Sequence, residues 1–408
     1  MTETSGTTAT SETTATHGTQ ETATSEPVEA HSGAHAVAVA QAHGVEVLFT
    51  LSGAHVFPMY DGAVMSEPAM RLLDVRHEQT AVFAAEAVGK LTRVPGLAVL
   101  TAGPGITNGV SPITQARFSG APLVVIGGRA PDNRWGTGSL QELDHVPIVA
   151  PVTKHAATVH DAAEVAGEVD RAFTLARSSH RGPVFLDVPM DTFFATSSAA
   201  RPEVGGTRGA DPDPDALTEI AELLAEARRP VLVVGSDVWA DGAEQAALRL
   251  VEGVGLPAVT NGMGRGIVPG GHPLLVTKAR SQALGTADLV VVVGTPLDFR
   301  LSYGSFGGKD GAAPAKVVHL ADAEDQVSRH ADLASSAYGD LTAVLDGIHE
   351  GLTQQLRRPD WSAWVPRCSR RSRRPTSVTA RCWAPRPTRC TRRGSTASCS
   401  PAWRTTRS

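Results

Sequence analysis

Between Ala36 and about Ala199 short apolar runs alternate with stretches of helical spacing, and this alternation constrains the fold of the chain more than any other feature. Val45–Thr50, Leu72–Val75, Leu97–Thr101, Leu123–Gly127 and Val184–Val188 read as buried strands, with Gln79–Leu91 and Ala162–Ala176 as helices between them. Runs that are apolar throughout, separated by helices, predict a parallel sheet covered on both faces. Ligands of such a sheet gather at the carboxyl ends of its strands.

Residues Arg201–Asp215 are rich in Pro, Gly and charge, which marks a linker, taken as 200–215. A second unit, 216–355, opens with a helix to Ala227. Strand Val231–Gly235, helix Gly242–Val251 and strands Ala258–Thr260, Leu289–Gly294 and Lys316–Leu320 follow. The predicted class is α/β, with two doubly wound parallel-sheet domains, the first spanning 31–199. No repeat of solenoid or propeller period recurs.

The ends differ from this body. Residues 1–30 are Thr- and Ser-rich, with eleven threonines among the first 27, and are expected to be disordered. They resemble neither a secretory signal nor a presequence, so a cytoplasmic location is expected. The last acidic residue is Asp360; the 48 residues after it hold 12 arginines and no lysine, so residues 1–360 carry 25 − 42 = −17. A body that acidic argues against nucleic-acid binding, and no apolar run is long enough for a membrane span. All four cysteines (Cys368, Cys382, Cys390, Cys399) lie in the tail 356–408, at spacings that match no zinc pattern, so no metal site is expected.

Two stretches bear on chemistry. Arg76-His77-Glu78-Gln79 follows a strand and opens a helix. A glutamate there either offsets the helix dipole or is a carboxyl group directed into a ligand crevice. Thr101-Ala102-Gly103-Pro104-Gly105-Ile106-Thr107-Asn108 also follows a strand; its glycines allow a tight turn and close approach of a ligand, and Asn108 offers a polar contact.

Five segments, VEVLFTLSGAHVFPMYDGA, LLDVRHEQTAVFAAEA, LAVLTAGPGITNGV, ARFSGAPLVVIGGRAP and GPVFLDVP, resemble in order and spacing the pyrimidine-binding domain of thiamine-diphosphate enzymes, most of all acetolactate synthase large subunits. The resemblance covers about residues 34–350. It implies that Glu78 matches the glutamate that hydrogen-bonds the cofactor's aminopyrimidine ring, and that Gly103, Pro104, Gly105 and Asn108 belong to the loop beside that ring. Gln141 matches a substrate-side glutamine, and Lys154 falls where the family has Thr-Lys, though a lysine is usually solvated surface.

Two positions depart from the acetolactate synthase pattern. His55, in Ser52-Gly53-Ala54-His55, resembles benzaldehyde-lyase-like and 2-hydroxyacyl-CoA-lyase-like relatives, where the histidine faces the substrate. Met190 stands where the family has lysine. Gly235, Gly262, Gly264 and Arg300 lie where acetolactate synthases hold a non-catalytic FAD; sheet-edge turns without a ligand are the alternative.

The family's third domain holds Mg²⁺ and the cofactor's diphosphate through a Gly-Asp-Gly motif, which residues 1–408 lack. The chain alone is therefore expected to be inactive. Degenerate codons of Pro387–Arg407, read in another frame, permit a segment like the helix that opens that domain, so a frameshift is expected between about Trp364 and Pro387. The implied complete enzyme is a dimer or tetramer that decarboxylates a 2-keto acid such as pyruvate and adds the product to a second one, a step of branched-chain amino-acid biosynthesis. A 2-hydroxyacyl-CoA-lyase-like carbon–carbon lyase and a non-catalytic half-site partner are the alternatives.

Overall fold

A computed structural model describes residues 26–355 and 359–369. The first domain is a six-stranded, wholly parallel sheet in the order β3-β2-β4-β5-β7-β6. Its strands are β2 (Val47–Thr50), β3 (Arg71–Asp74), β4 (Gly96–Leu100), β5 (Leu123–Arg129), β6 (His155–Thr158) and β7 (Pro183–Pro189); β1 (Val28–His31) pairs antiparallel with β8 (Thr196–Ala199) beside it. The second domain is a five-stranded parallel sheet, β10-β9-β11-β12-β13, formed by β9 (Pro230–Val234), β10 (Ala258–Thr260), β11 (Leu289–Val293), β12 (Lys316–Ala321) and β13 (Ser335–Tyr338).

The alternation of side chains along a strand explains why two helical layers form. In β4 and β5, Leu97, Val99, Val124 and Ile126 enter the core on one face, with Ala36 and Val37 of helix Ser32–Ala42 and Phe173 of helix Val165–Arg177. Ala98, Leu100, Leu123 and Val125 enter the other, with Ala81 and Val82 of helix Glu78–Thr92 and Ile106 and Ile113 of helix Pro104–Ser119. Both faces are covered, so β4, and β5 up to Gly128, carry only apolar residues and glycine, and the pattern reads as an unbroken run.

The five strands read in the first domain are all present, with ends shifted by one or two residues. The sequence reading omitted β6, whose HAAT sequence is only half-buried at the sheet's edge, and β13 and the β1–β8 ribbon. Two domain limits also move. β1 brings residues 28–30 into the structure, and residues assigned to the Arg-rich tail belong to the second domain's core. Trp361, Trp364 and Cys368 are buried there, with the indole N–H groups of Trp361 and Trp364 donating to Ala227 O and Pro230 O, each at 2.9 Å. The composition of the whole tail had masked this short apolar face. The expected disorder before residue 26, the proposed frameshift beyond Ser369, and Cys382, Cys390 and Cys399 lie outside the described residues.

If Trp364 closes this core, Trp364→Ala removes a buried indole and leaves a cavity. The expected loss is about 3–5 kcal/mol, read as a lower urea midpoint with unchanged slope. A change within about 0.5 kcal/mol, typical of surface substitutions, would return the segment to the tail.

Because both sheets are parallel, each has one edge of strand carboxyl ends and one of amino ends. The carboxyl edge of the second sheet abuts the amino edge of the first. Arg93 pairs with Glu244 and lies 3.9 Å over the Trp239 ring, Trp239 Nε1 donates to Lys90 O at 3.1 Å, and Arg181 pairs with Asp241. The carboxyl edge of the first sheet therefore faces away from the second domain.

Candidate functional site

At that outward edge β3 and β4 lead into helices Glu78–Thr92 and Pro104–Ser119, whose first turns lie side by side. Glu78 is the first residue of its helix, behind the N-cap His77, and is only 7% exposed. Its Oε2 accepts from Asn108 Nδ2 at 3.0 Å, while Oε1 accepts no hydrogen bond from any described residue. The second helix starts on Pro104, which suits a first position that lacks an N–H partner. Gly103 caps it at φ +57, a left-handed backbone that glycine tolerates without strain.

A buried network holds that glycine. Gly103 N–H donates to His145 Nε2 at 2.8 Å, so Nε2 is the acceptor and Nδ1 carries the proton, which points at both carboxylate oxygens of Asp187, each 3.0 Å away. His145 and Asp187 are fully buried. Burial pushes the Asp187 carboxyl up, against His145 and Arg129, which hold it down. Arg129 reaches Asp187 and Asp144 at 3.3 Å and lies 3.7 Å over the Trp135 ring. The sequence reading missed His145 and Arg129: a single histidine in a loop and an arginine ending a strand carry no spacing signal, and only strand order brings them to Asp187.

His55 is enclosed, at 3% exposure. Its Nε2 lies 3.2 Å from Leu140 O, a carbonyl that can only accept, so Nε2 carries the proton and Nδ1 takes the Thr101 hydroxyl at 2.9 Å. Burial lowers its pKa, with a smaller contribution from His145, and keeps the ring neutral. Both nitrogens are occupied, so His55 holds Thr101 and the Leu140–Gln141 turn rather than pointing a free nitrogen into the crevice. Gln141, exposed and at φ +55, lies over the loop: a β-carbon on Gly103 would stand 3.0 Å from Gln141 Cβ. Glu78, Asn108, Gly103, Pro104, Gly105, Gln141 and His55 thus gather at one edge.

Lys154 does not join them. It precedes β6 and so lies at the amino edge, where its ammonium donates to Leu175 O (2.7 Å), Ser178 O (2.9 Å) and Ser178 Oγ (3.0 Å). Burial lowers its pKa to about 8. Competitive acylation across pH is expected to place the half-titration of Lys154 near 8; an ordinary value near 10.4 would contradict this burial. The unfolded chain binds the proton more tightly, so this lysine makes stability rise with pH from about 8 to its unfolded pKa.

The residues expected to hold FAD, Gly235, Gly262, Gly264 and Arg300, follow β9, β10 and β11 at the carboxyl edge of the second sheet. A β-carbon on Gly235 would stand 2.2 Å from Gly294 O, on Gly262 2.2 Å from Ser236 Oγ, and on Gly264 2.5 Å from Val234 O. These glycines serve contacts within the domain. Arg300 is held by both oxygens of Asp298. For thiamine diphosphate the outward edge fits: Glu78 keeps one oxygen free beside Gly105, whose missing side chain leaves Oε1 open to a ring.

Two doubly wound domains, the first with a buried glutamate at its ligand edge, define the class, and the comparisons agree. Residues 31–148 match "Thiamine pyrophosphate enzyme, N-terminal TPP binding domain" and residues 217–348 match "Thiamine pyrophosphate enzyme, central domain". The chain belongs to the thiamine pyrophosphate enzymes and carries these two domains. It is 48% identical over 337 residues to the acetolactate synthase large subunit IlvG of Mycobacterium tuberculosis, covering 80% of this chain and 60% of that protein. It is 30% identical over 372 residues to human 2-hydroxyacyl-CoA lyase 2, covering 81% and 58%. The chain thus spans about 60% of the length of these relatives. No described helix is long and apolar enough to cross a membrane.

Proposed function

We propose that the chain supplies the pyrimidine half-site of a thiamine-diphosphate-dependent carboligase acting on 2-keto acids such as pyruvate, as acetolactate synthase does. The free oxygen of Glu78, held in place by Asn108 at the sheet's ligand edge, carries this reading. The bound cofactor would supply the nucleophilic carbon that attacks the keto acid and releases CO₂. Glu78 Oε1 accepts from the ring, Asn108 fixes the carboxylate's rotamer, and His145 fixes the turn at Gly103 that borders the ring. Gln141 is the exposed polar group nearest the loop and faces the substrate side.

The family's Mg²⁺ ligands come from the third domain. A second copy of the chain is the proposed partner: Phe83, Leu91 and Phe118 are 43%, 63% and 83% exposed on the two helices that start at Glu78 and Pro104. His55 and the 2-hydroxyacyl-CoA lyase relatives favour a second reading, carbon–carbon cleavage of 2-hydroxyacyl-CoA.

The test mixes the full chain with thiamine diphosphate and Mg²⁺, with and without a separately produced acetolactate synthase diphosphate-binding domain. Acetolactate formed from pyruvate only in the mixture supports the proposal. Cleavage of a 2-hydroxyacyl-CoA with no acetolactate would replace it with the second reading. Cofactor binding in the mixture with neither product would leave the chain a non-catalytic partner.

A further inference from the structure

The edge where the domains meet holds a group that the ligand site does not use. His180 lies just before β7, Asp237 is the second residue of the short helix after β9, and Asp322 follows β12. His180 Nδ1 is 3.2 Å from both carboxylate oxygens of Asp322 and 3.9 Å from Asp237 Oδ1. One donor atom from each lies within 4.8 Å of the others. Tetrahedral zinc with nitrogen and oxygen ligands at about 2.0–2.2 Å spaces its ligand atoms about 3.3–3.6 Å apart; the two distances from His180 lie on either side of that spacing, and the third lies within 4.8 Å.

A second observation points the same way. The Asp237 side chain is 13% exposed, yet its carboxylate accepts no hydrogen bond from any described residue; its one close charge contact is His180. Asp322 is 2% exposed. Carboxylates withdrawn from water need a cation, hydrogen bonds or a proton, and the nearby cations are engaged elsewhere. Arg181 pairs with Asp241, and Lys154 donates to Leu175 and Ser178. A single imidazole is left between two acids.

We propose that His180, Asp237 and Asp322 form a zinc-class divalent-cation site that clamps the two domains together. The donor set, one imidazole and two carboxylates, suits zinc or another first-row transition ion better than the all-oxygen shells of Ca²⁺ or Mg²⁺. His180 comes from the first domain and Asp237 and Asp322 from the second, so a bound ion ties the two domains together. With three protein ligands the fourth position takes water.

The test uses the full chain, freed of metal by chelation and titrated with Co²⁺ as a spectroscopic stand-in. One equivalent with a visible d–d band, displaced by Zn²⁺, is expected, together with a Zn²⁺-dependent rise in melting temperature. Asp237→Asn, equal in size, is expected to lose both while keeping its circular dichroism spectrum; His180→Gln, as a second variant, is expected to do the same. The proposal is overturned if the wild type binds no equivalent, or if binding survives in both variants. It is also overturned if a thiolate charge-transfer band places the ion on Cys368, Cys382, Cys390 or Cys399.

Discussion

In the reconstituted carboligation assay, Glu78→Gln is expected to lower turnover by about 10²–10⁴-fold, the range removed with a general acid–base group. Glutamine keeps the shape and an oxygen for Asn108, so the helix and the loop should remain. What it lacks is the carboxylate oxygen Oε1, which in the wild type has no hydrogen-bond partner among the described residues and so is free to hold a ring proton. Exchange of the cofactor's C2 proton into D₂O, followed by NMR, should fall by the same factor, since that step precedes the keto acid. Asn108→Ala should lie between wild type and Glu78→Gln, since it loosens the carboxylate without neutralising it. Exchange at the wild-type rate in Glu78→Gln would remove Glu78 from the chemistry and sink the proposed half-site.

A stability effect as large as that of Trp364→Ala is expected at Asp187. Asp187→Ala leaves the buried Arg129 guanidinium and the His145 Nδ1–H without their shared acceptor. Breaking a buried charge pair on one side costs about 3–5 kcal/mol. At about 2–4 °C per kcal/mol for a domain of this size, the melting temperature should fall by about 6–20 °C. Asp187→Asn keeps an acceptor for His145 and loses the charge, so a smaller loss of about 1.5–3 kcal/mol is expected. The fall should be accompanied by faster amide exchange at Gly103, because His145 holds that N–H. A stable Asp187→Ala protein with a protected Gly103 would show that the network does not position the loop.

The amino-acid sequence determined the fold class and part of the site, for reasons local to each element. Strands buried on both faces need unbroken apolar runs, so β4, β5, β7, β9, β11 and β12 were legible as such. Glu78 and the Gly103–Asn108 loop each follow a strand directly, and in a parallel sheet that alone places them on the ligand edge. Other features depended on strand order and on how the two sheets meet, which no periodicity records. Lys154 resembles a site residue by its neighbours, but it precedes its strand and therefore lies at the opposite edge. His145, Arg129 and Asp187 are far apart in the chain and meet only because β5 and β7 pair. The close contacts that Gly235, Gly262 and Gly264 make within the second domain appear only in the tertiary structure. His180, Asp237 and Asp322 converge because the amino edge of one sheet packs on the carboxyl edge of the other. Periodicity records which side of an element is buried; long-range packing decides which elements become neighbours, and buried charges acquire partners only at that stage.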